Sequence, residues 1–415
     1  MFYYRLDDSH ALCAARDDLP FAQSNAPQPA ENLTFLFERD PSACRASFAV
    51  SDAAQLFARR EDVSWLDPAR IDAPCRSCEG ALAGALRDRR LRAVNRAHPR
   101  WRELLAPPAP PAKKRVNLLA LGDVGSTLLL ALRLLGEDQI ASIGILDPDE
   151  RVTARWATEL EQIAYPWDYD RLPPVEAIGP DALFDCDLFV FCASKGIPPV
   201  GSDVRDVRMA QLEGNAAILA PYARMARERR FSGLFAVVSD PVDPLCKVAL
   251  VESNRGPDGK FDGLGLFPEQ IQGYGLGVMN ARAAYFAKRD PRFASFLTEG
   301  RSFGPHGEDL VIANSIARYD DALSRELTGL TVGANLQIRA LGFKPYVAPA
   351  LSSGALSLLL SLRGEWHCGS VFLGGVYLGV KNRFTPAGLE TESLALPDPL
   401  FARIQTAADR LADIL

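Results

Sequence analysis

An apolar run, Val116-Asn117-Leu118-Leu119-Ala120-Leu121, meets Gly122-Asp123-Val124-Gly125 and passes into a second apolar stretch from Thr127 to Leu135. Some twenty residues further on, Ile143-Gly144-Ile145-Leu146 ends in Asp147. Strand, glycine turn, helix, strand and acid in that order form a dinucleotide-binding pattern. The glycines let backbone approach a pyrophosphate, and the helix N-terminus offers free N–H groups with a partial positive charge. The carboxylate accepts from ribose hydroxyls. Gly122, Asp123, Val124 and Gly125 are therefore expected at the phosphates and Asp147 at the ribose. A 2′-phosphate would meet the charge of Asp147, which favours NAD over NADP. Ala120 stands where the pattern has its first glycine, so a tight turn without a ligand is the alternative.

The elements that must position these residues are read from the rest of the chain. The 415 residues suffice for two or three domains with cores of their own. A formal charge of −6 argues against a dedicated nucleic-acid binder or a polybasic membrane anchor. No apolar stretch reaches membrane-spanning length and the first residues lack the pattern of a signal peptide, so a cytoplasmic protein is expected. The eight cysteines then read as reduced thiols. The proline-rich run Ala106–Arg115 predicts a stiff linker. Strands are predicted at Asn117–Leu121, Ser142–Leu146, Leu188–Cys192 and Leu234–Val238, with helices between them. That rhythm predicts an α/β fold, a Rossmann-type doubly wound parallel sheet. Beyond about residue 245 the pattern changes to long helices, a hairpin-like stretch at Val371–Val380 and an amphipathic end from Pro399. The expected division is an N-terminal module at 1–105, a linker at 106–115, a dinucleotide-binding domain at 116–244 and a substrate domain at 245–415.

The N-terminal module carries Cys13, Cys44 and the pair Cys75-Arg76-Ser77-Cys78. Plain thiols, a redox pair or half of a four-cysteine metal site are the open readings. The arginine-rich stretch Arg87 to Arg102 reads as a basic helix, solvated or facing an acidic partner.

From about Val116 the chain resembles the NAD-dependent L-lactate/malate dehydrogenase family, through several motifs in the family's order. Asp187-Leu188-Phe189-Val190-Phe191-Cys192-Ala193 is similar to its third-strand region, followed by a mobile loop, and Ala193 is expected beside the cofactor. Arg208-Met209-Ala210-Gln211-Leu212-Glu213-Gly214-Asn215 resembles the end of that loop and the helix after it. Val237-Val238-Ser239-Asp240-Pro241-Val242-Asp243 is close to the Ser-Asn-Pro-Val-Asp signature. The stretch from Gly265 through Gly273-Tyr274-Gly275 to Asn280-Ala281-Arg282 looks like the segment that delivers the substrate-binding arginine. Gly304-Pro305-His306-Gly307-Glu308 matches the element that carries the catalytic histidine, and Tyr346–Ala350 also resembles malate-type members. The substrate domain is then expected to be of the family's α+β type, with the N-terminal module lying outside the resemblance.

The resemblance implies an oxidoreductase that interconverts a 2-hydroxy acid and a 2-keto acid, nearer to lactate than malate. Arg282 would grip the substrate carboxylate through two parallel hydrogen bonds. His306, one of four histidines, would be the acid/base. Arg208 would polarise the carbonyl as the loop Ser194 to Val207 closes. No metal is implied, and a dimer or tetramer is.

Several positions depart from the family. Met279 stands where an aspartate orients the histidine, and a thioether accepts a hydrogen bond poorly. Glu269 and Glu308 are the acids considered as stand-ins. Asp240 replaces an asparagine, and a carboxylate there would repel a carboxylate substrate unless protonated or paired. Lys344 falls where relatives line the pocket with a small hydroxyl residue, so it is expected either to pair with Asp240 or to read a second acidic group, unless the alignment slips and leaves it in solvent. Ser202, with no arginine there, speaks against a malate specialist. The competing reading, drawn from Met279 and Asp240, is an NAD(H)-binding sensor or scaffold that has lost most catalysis.

Overall fold

Short apolar runs in the first hundred residues pair into one mixed sheet. The computed structural model describes residues 1–7, 9–27, 32–106, 112–195 and 207–414, with the backbone alone at 207–210. Strands β1 (Phe2–Arg5), β2 (His10–Ala14), β3 (Gln23–Ser24), β4 (Asn32–Phe37), β5 (Ser47–Ala49) and β6 (Leu91–Asn95) lie in the order β3-β1-β2-β4-β6-β5. The run β2-β4-β6 is parallel and the remaining pairs are antiparallel. Helices α1 (Ala53–Phe57) and α2 (Gly80–Arg87) fall between β5 and β6. The stretch expected to be a basic helix is thus the end of α2, then β6, then a 3₁₀ turn at Trp101–Leu105. Its arginines alternate with Leu91 and Ala93, which enter the core with a period of two, and that period belongs to a strand.

After the linker, whose residues 107–111 lie outside the described residues, strand and helix alternate. The order is β7 (Lys114–Leu119), α3 (Asp123–Leu135), β8 (Ile140–Leu146), α4 (Glu150–Glu161), β9 (Val175–Ala177), β10 (Leu188–Phe191), α5 (Val207–Glu228), β11 (Leu234–Val237), α6 (Val242–Ser253) and β12 (Ile271–Gly273). The strands stack as β9-β8-β7-β10-β11-β12, all parallel. This is the doubly wound arrangement expected from the sequence, with its order reversing between β7 and β10. Leu188 and Val190 enter the core on one face while Phe189 and Phe191 enter the core on the other. A sheet apolar on both faces must be covered on both.

The rest of the chain builds α7 (Leu276–Ala287), α8 (Phe296–Glu299), the hairpin β13 (Arg301–Phe303) and β14 (Val311–Ala313), α9 (Asp321–Ala340) and α10 (Leu356–Arg363). It ends with β15 (His367–Leu373), β16 (Val376–Thr385), β17 (Gly388–Thr391) and α11 (Asp398–Ala412). β15 pairs antiparallel with β12 at Gly273 and Ser370, so β15, β16 and β17 extend the parallel sheet. No described helix is long and apolar enough to cross a membrane.

The N-terminal module is welded onto this body. Phe35, Phe48 and Trp65 share a core with Val371, Leu378, Leu389, Leu400 and Ile404. Fully burying such a side chain contributes about 1.5–3 kcal/mol. Glu269, just before β12, reaches into the module and accepts from Ala46 N–H (3.0 Å), Ser47 N–H (2.6 Å) and the Ser47 hydroxyl (2.7 Å). Cys13 and Cys44 are buried, and burial pushes both thiols up. Cys75 is exposed and bonds the Ser77 carbonyl. Among the described residues no group of three or more His, Cys, Asp or Glu is placed to hold a metal ion.

Candidate active site

The crevice begins where β7 turns into α3. Ala120 adopts the left-handed backbone (φ +74°) that the missing glycine would occupy, so the turn survives at the cost of strain. A Cβ on Gly125 would lie 2.0 Å from the Ala120 carbonyl oxygen, which is why helix and strand can meet so closely only with glycine there. A Cβ on Gly122 would meet nothing within 4 Å, and no side chain caps the first turn of α3. At the end of β8, the Asp147 carboxylate accepts from Leu121 N–H (2.7 Å) and Asp149 N–H (3.0 Å). Open space before uncapped N–H groups, beside a carboxylate held from behind, fits a diphosphate and a ribose.

His306 sits on the turn between β13 and β14. Gly304 (φ +89°) starts that turn and donates to the Gly379 carbonyl on β16 (2.9 Å). Gly275, at the start of α7, leaves room for the ring: a Cβ there would stand 2.9 Å from that of His306. The His306 backbone N–H donates to the buried Asp243 of α6 (3.3 Å). Its imidazole Nδ1 lies 3.1 Å from the Asp240 carboxylate. Burial works against the imidazolium, and Arg282 adds to that. The charge and hydrogen bond of Asp240, with help from Asp243, outweigh both and hold the ring above its ordinary pKa. Asp243 is itself pushed up to about 6 by burial, against the hydrogen bond it accepts from Ser370.

Asp240 belongs to the turn between β11 and α6, and that turn is tied down. The buried Asn215 of α5 donates to the Asp240 carbonyl (2.6 Å) and to the Ser194 hydroxyl (3.3 Å), and accepts from Lys195 N–H (2.8 Å). The Ser239 hydroxyl donates to the carbonyl of Ala193 (2.7 Å), so the ends of β10 and β11 are stitched together. Arg282 projects from α7. Burial lowers its pKa, opposed by the charge of Asp240. Its guanidinium donates to the Met279 sulfur (3.6 Å), and it forms no ion pair among the described residues. Ser353 secures this helix by accepting from Val278 N–H (2.8 Å) and donating to the Gly275 carbonyl (2.6 Å).

No family model matches the chain. Over 257 residues it is 26% identical to an L-lactate dehydrogenase of Staphylococcus haemolyticus, covering 60% of this chain and 74% of the relative. Over 280 residues it is 25% identical to a malate dehydrogenase of Sulfurimonas denitrificans, covering 64% and 81%. The fold matches MGS-M5, a lactate dehydrogenase from a Medee basin deep-sea metagenome library, with TM-score 0.59 and 20% identity over 73% of this chain and 98% of that one. It matches a minor L-lactate dehydrogenase of Enterococcus mundtii with TM-score 0.59 and 18% identity, over 73% and 97%. A malate dehydrogenase of Archaeoglobus fulgidus in complex with NADH gives TM-score 0.57 and 19% identity over 72% and 98%. The chain is lactate/malate dehydrogenase-like.

Within that lactate/malate dehydrogenase-like frame, several sequence expectations change. Lys344 does not pair with Asp240; its ammonium lies 2.9 Å from Asp123, both exposed, at the glycine turn. That pairing belongs to the cofactor side of the crevice. Glu269 cannot orient His306, because it is spent on Ala46 and Ser47. Glu308 is exposed. Asp240, read from sequence as an obstacle, is the acid on the histidine. Residues 196–206, including Ser202, and the side chain of Arg208 lie outside the described residues. Sequence reasoning also missed Asn215 and Ser353, whose polar character at buried positions of helical segments was the available signal.

Proposed function

We propose that this protein is an NAD-dependent oxidoreductase that interconverts a 2-hydroxy acid and a 2-keto acid. The observation that carries the reading is a partly desolvated guanidinium, Arg282, with no ion pair among the described residues, near an imidazole tethered to a carboxylate. A half-buried cation without an acid beside it gains when an anion completes it, and the planar fork of arginine matches a substrate carboxylate. The open Gly122 turn and Asp147 support the cofactor, which supplies hydride acceptor and donor when bound.

With the carboxylate held by Arg282, the Nε2 edge of His306 gives a proton to the keto oxygen during reduction and takes it from the hydroxyl in reverse. Asp240 and Asp243 stabilise the imidazolium in the meantime. Arg208, at the start of α5, would polarise the carbonyl, as the resemblance implies. Lys344 takes no part in gripping substrate on this reading.

NADH oxidation against a panel of 2-keto acids, with wild type beside His306→Ala, is the test. Turnover that falls about 10²–10⁴-fold in the variant is expected. Arg282→Lys should raise KM sharply. Tight NADH binding with no turnover on any keto acid would point instead to a sensor or scaffold.

A further inference from the structure

We propose that Asp240 is the positioning residue for His306, so that the orienting carboxylate comes from the β11–α6 turn and not from α7. The contact between Nδ1 and the Asp240 carboxylate (3.1 Å) fixes Nδ1 as the donor in the neutral ring and leaves Nε2 toward the reacting oxygen. The mount is rigid: the Asp240 carbonyl is held by buried Asn215, and the neighbouring Ser239 hydroxyl is held by Ala193. On α7, the position where the family resemblance expects an acid is the buried Met279, whose sulfur rests on Arg282. A thioether cannot hold an imidazolium. The charged groups facing the ring are Asp240 from the turn, Asp243 from α6 and Arg282 from α7. Asp240 is the one of these that bonds the ring itself.

The inference rests on the role assigned to His306, so one of its readouts requires no turnover. Titrate the imidazole of His306 by nitrogen-15 NMR in the full-length protein, assigning its signal with His306→Gln, and compare wild type, Asp240→Asn and Asp240→Asn/Met279→Asp. The pKa of His306 should fall in Asp240→Asn and recover when the acid is restored on α7. In keto-acid reduction, kcat of Asp240→Asn should drop about 10²-fold or more while KM stays within about threefold, with at least tenfold regained in the double variant. A His306 titration and kcat unchanged by Asp240→Asn would overturn the proposal, as would a loss confined to KM. If wild type turns over no keto acid, the functional reading falls and the titration still decides the orientation. Should Met279→Asp fail to fold, Asp240→Asn alone carries both readouts.

Discussion

Arg45 and Arg282 are both drawn away from water, and their surroundings differ. Arg45, in the N-terminal module, is paired through Nε with Glu61 at 2.7 Å, both side chains essentially unexposed. Its guanidinium lies over Phe48 and Trp65 (5.2 Å to each centroid), and the Arg45 N–H also donates to Glu61 (2.9 Å). Arg282, in the crevice, has a sulfur for company and the field of Asp240 at a distance. The first arrangement is complete and can only hold the fold. The second has no ion pair among the described residues, which is the arrangement the proposed function completes with a substrate carboxylate.

Stability measurements can break this contrast. Arg45→Met leaves Glu61 buried and uncompensated, which should cost about 3–5 kcal/mol in urea unfolding. Arg282→Met removes a charge that makes no ion pair among the described residues, and should cost less than about 1 kcal/mol while abolishing affinity for keto acids. Equal losses in the two variants would mean that Arg282 is structural.

Substrate charge sharpens it next. On the proposed function Arg282 takes the first substrate carboxylate, and a second one meets the negative charge of Asp240. Like charges about 6 Å apart at an effective dielectric of about 20 repel by about 3 kcal/mol, roughly 10²-fold. A monocarboxylic keto acid such as pyruvate should therefore exceed oxaloacetate in kcat/KM by about that factor, measured side by side with NADH.

The pH profile is a smaller effect. On the proposed function reduction needs the imidazolium of His306, whose pKa is raised in the fold by Asp240 over the opposing effect of burial. Its kcat/KM should stay level through the ordinary histidine value of about 6.5 and decline only above it. Oxidation needs the neutral ring and should rise over the same interval. A reduction profile already falling below pH 6 would contradict the ion pair.

The smallest effect concerns the glycine turn. Ala120→Gly relieves a left-handed alanine and should stabilise the protein by about 0.5–1 kcal/mol, with NADH affinity unchanged. Thermal unfolding reads the gain directly.

How far the sequence could be read follows from the range of each interaction. The strands at Leu188–Phe191 and Leu234–Val237 and the turn at Gly122 are set by period and turn chemistry within a few residues, and the structure has them where the pattern puts them. In the N-terminal module, arginines hid the two-residue period of Leu91 and Ala93, so charge was mistaken for helix. The pairing of Asp240 with His306 joins residues 66 apart, and that of Lys344 with Asp123 joins residues 221 apart. Local pattern carries no information about either.

By itself the sequence pattern determined the doubly wound sheet and the glycine turn with its acid, while His306 and Arg282 were singled out by the family resemblance. The sheet and the turn follow from side-chain type and spacing along a short stretch of backbone. Which acid holds His306, where Lys344 goes, and that Glu269 fastens the first hundred residues to the rest of the chain were decided only in three dimensions. Charges choose partners by distance through space, and the packing of β11, α6 and α7 sets those distances.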